Sequence, residues 1–193
     1  MPVVIDHLLS KVEKPARYTG NEMNSTTKSF DEAEVTFAFC FPDTYEVAMS
    51  HLGMKILYGI LNDLPYAKCE RVCMPWVDMH TEMIKTGTPL FSLESHHALS
   101  EFDIIGFTLQ YEMSYTNILE ILDLSGIPLH SEDRTWEHPI VIAGGPCAFN
   151  PEPLADFIDA FMVGDGEEQI IELNRVIMEG RAEGASRMTI LKR

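Results

Sequence analysis

Basic residues are scarce in this chain. Fourteen Lys and Arg stand against 30 Asp and Glu over 193 residues, a formal net charge of −16. That balance excludes a nucleic-acid backbone as the partner of this segment, because phosphate binding needs a basic surface. It leaves room for a basic partner protein or a basic neighbouring domain. Long hydrophobic runs are missing too: no apolar stretch approaches the ~20 residues that span a bilayer. The opening Met1-Pro2-Val3-Val4-Ile5-Asp6 lacks the basic start and apolar core of a secretory signal, so no membrane partner is expected. Cysteine is limited to Cys40, Cys69, Cys73 and Cys147, in a spacing that is no disulfide framework, which points to a reduced, cytoplasmic protein. Neither G-x-G-x-x-G nor a Walker sequence occurs, so phosphate-cradling NAD or ATP sites are poorly supported. No Ser-His-Asp or paired-carboxylate arrangement can be defended from spacing, and there is no internal repeat or low-complexity segment.

The hydrophobic fraction of 46% is that of a globular protein, and the length suits one domain with a real core, or one domain plus arms. Residues 1–30 mix breakers and polar groups and read as an arm, with a short helix near 4–12. From Val35 the pattern changes. Val35–Phe41 is β-branched and aromatic, a buried strand that Pro42 ends. Asp43 or Thr44 can cap a following helix. On that helix Val47, His51, Met54 and Tyr58 share one face while Tyr45, Met49, Leu52, Ile56 and Ile60 share another, so it is expected to be largely buried. Further strands are expected at 69–74, 89–93, 103–110, 139–143 and 157–163, with helices at 77–85, from Tyr115 to Gly126, and at 167–179. Strands that alternate with helices and read as continuous apolar runs indicate a parallel sheet covered on both faces. The expected fold is α/β, a doubly wound, mostly parallel Rossmann/flavodoxin-like sandwich over 31–183.

Several turns then fall where strands should end. They are Phe41-Pro42-Asp43-Thr44-Tyr45, Ser50-His51-Leu52-Gly53, Gln110-Tyr111-Glu112, Gly144-Gly145-Pro146-Cys147 and Gly164-Asp165-Gly166-Glu167-Glu168. In an open parallel sheet ligands bind outside the carboxyl ends of the strands, so turns sharing one rim argue for one cleft and one large cofactor. Each piece alone has a plainer reading. Gly144-Gly145-Pro146 suits a tight turn as well as close approach of a ligand. Gly164-Asp165-Gly166-Glu167 is a capped helix start or a set of acceptors for ligand hydroxyls and amides. His51 is a structural helix residue or a ligand. Cys69 and Cys73 lie roughly 13 Å apart on a strand, too far to share a metal, and no metal site is expected.

Taken together, these turns resemble the amino-terminal region of cobalamin-binding-domain radical SAM proteins. The likeness begins at Lys14-Pro15-Ala16-Arg17-Tyr18. It continues through Phe39-Cys40-Phe41-Pro42-Asp43-Thr44-Tyr45-Glu46-Val47, Met49-Ser50-His51-Leu52-Gly53 and Phe107-Thr108-Leu109-Gln110-Tyr111-Glu112. It closes with the run from Gly144 to Pro153 and with Gly164-Asp165-Gly166-Glu167-Glu168. The resemblance implies a Rossmann-like cobalamin domain ahead of a radical SAM barrel. That barrel would hold a [4Fe–4S] cluster on C-x-x-x-C-x-x-C and cleave S-adenosylmethionine to a 5′-deoxyadenosyl radical. The cobalamin would carry a methyl group or take part in electron transfer. Pro42, Asp43, Thr44, Tyr45, Gln110, Tyr111, Gly144, Gly145 and Pro146 would meet corrin amides, and Ser50, His51, Leu52 and Gly53 would lie beside them. The nucleotide tail would slot beside the sheet where Gly164 and Gly166 leave room, flanked by Asp165 and Glu167.

The chain departs from that pattern twice. Cys69 and Cys73 have the first cluster spacing, but Trp76 stands where the third Cys belongs. The cluster and S-adenosylmethionine are therefore expected in a downstream domain that this chain lacks. Residues 184–193 would begin the linker to that domain, and residues 1–30 would pack against it. The methionine-synthase-like D-x-H-x-x-G around His51 has Met49 and Met54 in its Asp and Gly positions, so His51 is not a secure lower cobalt ligand. Two rivals share the fold: a docking module without cobalamin, and a flavin- or nucleotide-binding domain. The second lacks a Ser/Thr-rich phosphate loop after Phe41.

Overall fold

A computed structural model describes all 193 residues. Five strands, β1 (Val35–Phe41), β2 (Ala67–Cys73), β3 (Ile104–Thr108), β4 (Ile140–Gly144) and β5 (Ala160–Met162), form one sheet in the order 2-1-3-4-5. Every pairing is parallel. The chain is thus the expected doubly wound, flavodoxin-like α/β fold. All seven residues of β1 are buried, which explains its unbroken apolar run: a central parallel strand has no wet face.

Alternation divides the core. Ala38, Cys40, Ile105, Phe107, Val141 and Ala143 face one side. There they meet α4 (Val77–Thr86), α5 (Tyr115–Leu124) and the short α1 (Asp6–Leu9) through Met79, Met83, Ile118, Leu122 and Leu8. Phe37, Phe39, Phe41, Ile104, Ile140 and Ile142 face the other. Their partners are α3 (Leu52–Asp63), α6 (Gly166–Ala182) and α7 (Arg187–Ile190), through Met54, Leu61, Ile170, Ile177 and Ile190.

Three expectations change. The helix read from Asp43 through Ile60 is two helices, α2 (Tyr45–Ala48) and α3, broken at 49–51. The break resolves a conflict, since one straight helix could not bury both apolar faces. Met54, Tyr58 and Leu61 go inward, while Leu52, Ile56 and Val47 remain exposed. The strand expected at 89–93 is an irregular segment with one isolated bridge, Phe91 to Ala98. It covers edge strand β2, whose sequence carries three charges yet is buried. Ser92 and Ser95 hydroxyls donate to Glu70 Oε2 at 2.5 and 2.6 Å, and Arg71 Nε donates to Glu94 Oε1 at 2.6 Å. Lys68 Nζ lies 2.8 Å from Glu70 Oε1. Buried charges persist when paired in this way.

The arm also differs from expectation, because it packs on this domain. Ile5, Leu8 and Tyr18 are buried in the core beside α4. Arg71 Nη2 donates to Glu22 at 2.7 Å, Tyr58 Oη accepts from the Thr26 amide at 2.7 Å, and Phe30 stacks on His97 with ring centroids 3.8 Å apart. The segment 184–193, expected to begin a linker, docks on this domain. Ile190 fills the space over Gly180, and Arg187 donates to the carbonyls of His138 and Pro139 and pairs with Asp159.

A candidate cofactor slot at the carboxyl rim

The chain leaves β1 toward the α3/α6 face and leaves β3 toward the α5 face, so the crevice between the ends of β1 and β3 is the topological switch point, where ligands bind in such sheets. The crevice is bridged. Tyr111 Oη donates to Asp43 Oδ2 at 2.8 Å, and Asn117 Nδ2 donates to the Pro42 carbonyl at 2.9 Å. The bond to Asp43 raises the Tyr111 phenol above its ordinary range. The Asp43 carbonyl also accepts from Met74 N at 2.9 Å, which ties the β1 loop to the end of β2.

A slot of about 190 Å³ runs from this rim down the sheet between α3 and α6. Glycines stand along its floor, and at Gly106 the Phe37 ring takes the place of a side chain. On β3 the residue facing this side between Ile104 and Thr108 is Gly106, and Gly144 ends β4 one step above Ile142. A β-carbon at Gly106 would lie 2.7 Å from Phe37 Cε1, so the Phe37 ring rests on bare backbone. Gly145 has φ 109°, a conformation open to glycine. A β-carbon there would come within 2.9 Å of the Leu109 carbonyl oxygen. That close crossing is fixed by Leu109 N donating to Gly144 O at 2.7 Å and Cys147 N donating to Leu109 O at 3.1 Å.

Of the residues expected at the site, His51, Gly53, Gln110, Gly144, Gly145, Gly164, Gly166 and Glu167 line the slot. Pro42, Asp43 and Tyr111 stand at the adjoining crevice. The others turn elsewhere. Thr44 is the N-cap residue of α2 but makes no side-chain cap bond. Tyr45 donates to Glu22 at 2.8 Å, and burial with that bond pushes its phenol up to about 12. Ser50 bonds back to the Val47 carbonyl at 2.7 Å, and Leu52 is 68% exposed. Pro146 opens a short 3₁₀ turn, and Asp165 is the exposed N-cap residue of α6.

His51 does not sit a turn inside a helix. It is the N-cap of α3, and its Nδ1 accepts from Met54 N at 3.0 Å. Nδ1 is therefore the acceptor nitrogen, which assigns the neutral ring's proton to Nε2. In that tautomer His51 has no free lone pair for a metal. Sequence reasoning missed the slot's depth, formed by Phe37, Phe39, Leu57, Ile142, Met162 and Ile170. The signal that could have found it is Gly106, an isolated glycine inside a strand. Cys69 and Cys73 lie at the middle and end of β2, away from the slot, and burial pushes the Cys73 thiol up to about 12.

Residues 53–193 match the family described as radical SAM proteins, N-terminal. The chain belongs to this family. An uncharacterized protein of Methanocaldococcus jannaschii is 35% identical over 98 residues, which is 49% of this chain and 20% of that relative. The chain thus spans about a fifth of the length of the curated relative it matches. No solved structure matches the chain. No helix is long and apolar enough to cross a membrane.

Proposed function

We propose that this radical SAM N-terminal domain holds a cobalamin, with the corrin on the carboxyl rim and the nucleotide tail in the slot between α3 and α6. The observation that carries this reading is the slot itself, which opens at the carboxyl rim between α3 and α6 where Gly144, Gly164 and Gly166 carry no side chains. The residues fit the group. A cavity of about 150 Å³ admits a benzene ring, so about 190 Å³ has room for a flat base. The rim carries Asp43 and, at the slot mouth, Glu167, acceptors suited to the corrin's amide fringe and poorly suited to a bare pyrophosphate. That charge favours cobalamin over the flavin or nucleotide alternative.

The chain's own residues would bind and orient. Asp43, Gln110 and the backbone at 144–146 would meet the corrin edge, and Phe37, Phe39 and Ile142 would keep water from the tail. His51, with Nδ1 engaged in the α3 cap, would leave the lower cobalt face without a protein nitrogen. A bound cobalamin supplies methyl transfer or electron transfer. The [4Fe–4S] cluster and S-adenosylmethionine belong, in this reading, to a downstream radical SAM domain. It would cover the rim, and the exposure of Leu52, Tyr111, Met113, Phe149 and Val163 supports that reading.

The test is an absorbance spectrum of the purified chain after incubation with hydroxocobalamin and gel filtration. Stoichiometric cobalamin travelling with the protein, without the bands of a histidine-ligated cobalt, is the expected result. A colourless protein fraction would remove the cofactor reading and leave the docking module.

A further inference from the structure

We propose that the sheet edge at β5 pairs with a second copy of this chain, antiparallel about a two-fold axis at Phe161. This interface is independent of the cofactor reading. The two edges of the sheet are treated differently. Edge strand β2 is covered along its backbone: Leu93 N donates to Arg71 O at 2.9 Å, and Arg71 N donates to Glu94 Oε2 at 2.8 Å. Nothing pairs with the outer side of β5, and its three residues are only partly buried. An uncovered edge is a template for another strand. Which groups it presents follows from β4. Ile140 N donates to Asp103 O at 2.9 Å and Gly144 O accepts from Leu109 N at 2.7 Å, so these residues bond toward β3. Ala143, of the other parity, bonds toward β5. In a parallel ladder only one of two facing residues bonds across. Phe161, the register partner of Ala143, therefore turns its N–H and C=O outward. Beside this backbone a groove of about 710 Å³ runs up the edge between β5 and α6, walled by Met162, Leu173, Val176 and Leu191.

Chain continuing past α7 is a poor occupant of this edge. The step from β3 to β4 runs through α5 on the arm-side face, whereas α6 lies on the opposite face. A further step in the same direction through α6 would be a left-handed crossover, and parallel crossovers are right-handed almost without exception. A two-fold axis meets no such bar, because it makes the edge its own complement. Phe161 N–H would donate to the second copy's Phe161 C=O and accept the reciprocal bond, with Ala160 facing Met162 across the joint. The charges of the groove fit this arrangement. Glu168 and Glu172 stand at its upper end, in the first turns of α6, and Arg193 stands at its lower end beside α7. An antiparallel partner brings the Arg193 of each copy to the Glu168 and Glu172 of the other. The Arg193 pair with Glu183 within the chain is a surface pair and yields readily. A net charge of −16 repels a second copy at long range, so the attraction is local to this groove.

The experiment is sedimentation velocity of the 193-residue chain from low micromolar to near-millimolar concentration, with amide hydrogen exchange at both limits. A monomer–dimer equilibrium is expected. The Phe161 amide should exchange more slowly at high concentration, while the Met162 amide, which faces β4, should change little. Arg193→Glu, an exposed change, should weaken the dimer by roughly tenfold, because the two-fold axis repeats the like-charge contact at both ends. Adding Glu168→Lys to that variant should restore most of the loss. A chain that stays monomeric at every concentration would overturn the proposal and leave the edge to another region of a longer protein or to a basic partner. A dimer whose Phe161 amide is not slowed, or whose affinity ignores both substitutions, would overturn it as well.

Discussion

The two faces of the sheet are built from the same strands and do different things. On β3, Ile105 and Phe107 point to the arm side and fill it, while Gly106 points to the α3/α6 side, where the Phe37 ring lies over it. On β4, Val141 and Ala143 pack against the arm-side core, while Ile142 and Gly144 border the slot. The arm side also receives a plug from the chain's own beginning, through Ile5, Leu8 and Tyr18. A doubly wound sheet can close one face for stability and hollow the other for a ligand, and residue parity within a strand decides which.

The largest expected effect is on the joint between the two faces. Asp159 Oδ2 accepts from Val141 N at 2.7 Å and from Arg134 Nη1 at 3.2 Å, and it also pairs with Arg187. Arg134 belongs to the loop on the arm side and Arg187 to the segment that docks on the slot side. Asp159→Asn leaves a buried guanidinium uncompensated and should cost about 3–5 kcal/mol in denaturant unfolding. A loss under about 1 kcal/mol would mean that the knot is solvated and the faces are not joined there.

Next comes the plug. Leu8 is fully buried, and Leu8→Ala should cost about 2–5 kcal/mol without weakening a ligand held on the opposite face. A negligible cost would show the arm to be detached in solution. Within the slot the comparison can be sharpened with two glycines. Gly106→Ala would drive a methyl into the Phe37 ring and should destabilise by about 1–3 kcal/mol. At Gly144 a β-carbon meets Met162 at an ordinary 3.5 Å, so Gly144→Ala should be within about 1 kcal/mol of neutral. Equal effects would contradict the floor described for the slot.

The smallest effect is electrostatic. Burial holds His97 below the ordinary histidine value, where it stacks on Phe30 of the arm. The folded state therefore favours the neutral ring. This contribution is whole above pH ~6.5 and is lost as the pH falls below that value toward the folded pKa. Stability measured from pH 7 to 5 should decline with a component that His97→Phe removes; an identical pH slope in the variant would rule the histidine out.

The sheet was legible in the sequence because buried parallel strands such as Val35–Phe41 are continuous apolar runs, and because Gly and Pro mark where they end. The turns of the rim were legible for the same reason, although a tight turn and a ligand cradle at Gly144-Gly145 read alike in the sequence. The slot's depth was not legible, because Phe37, Phe39 and Ile142 read the same whether they fill a core or line a cavity. The break at 49–51 carried no Gly or Pro, and histidine is not a usual helix cap. The charged strand β2 owes its burial to Glu94, Ser92 and Ser95, some 20 residues further along the chain, a pairing that no local pattern announces. The docking of the arm depends equally on distant contacts such as Glu22 with Arg71.

The central claim is that one face is closed and the other receives the cofactor. Amide hydrogen exchange of the whole chain, with and without saturating hydroxocobalamin, tests it most directly. Added protection should concentrate at residues 51–57 and 164–170, where α3 and α6 flank the slot mouth, and should leave α4 and α5 unchanged. Protection that falls instead on α4, α5 or the arm, or no change at any position, would contradict the account.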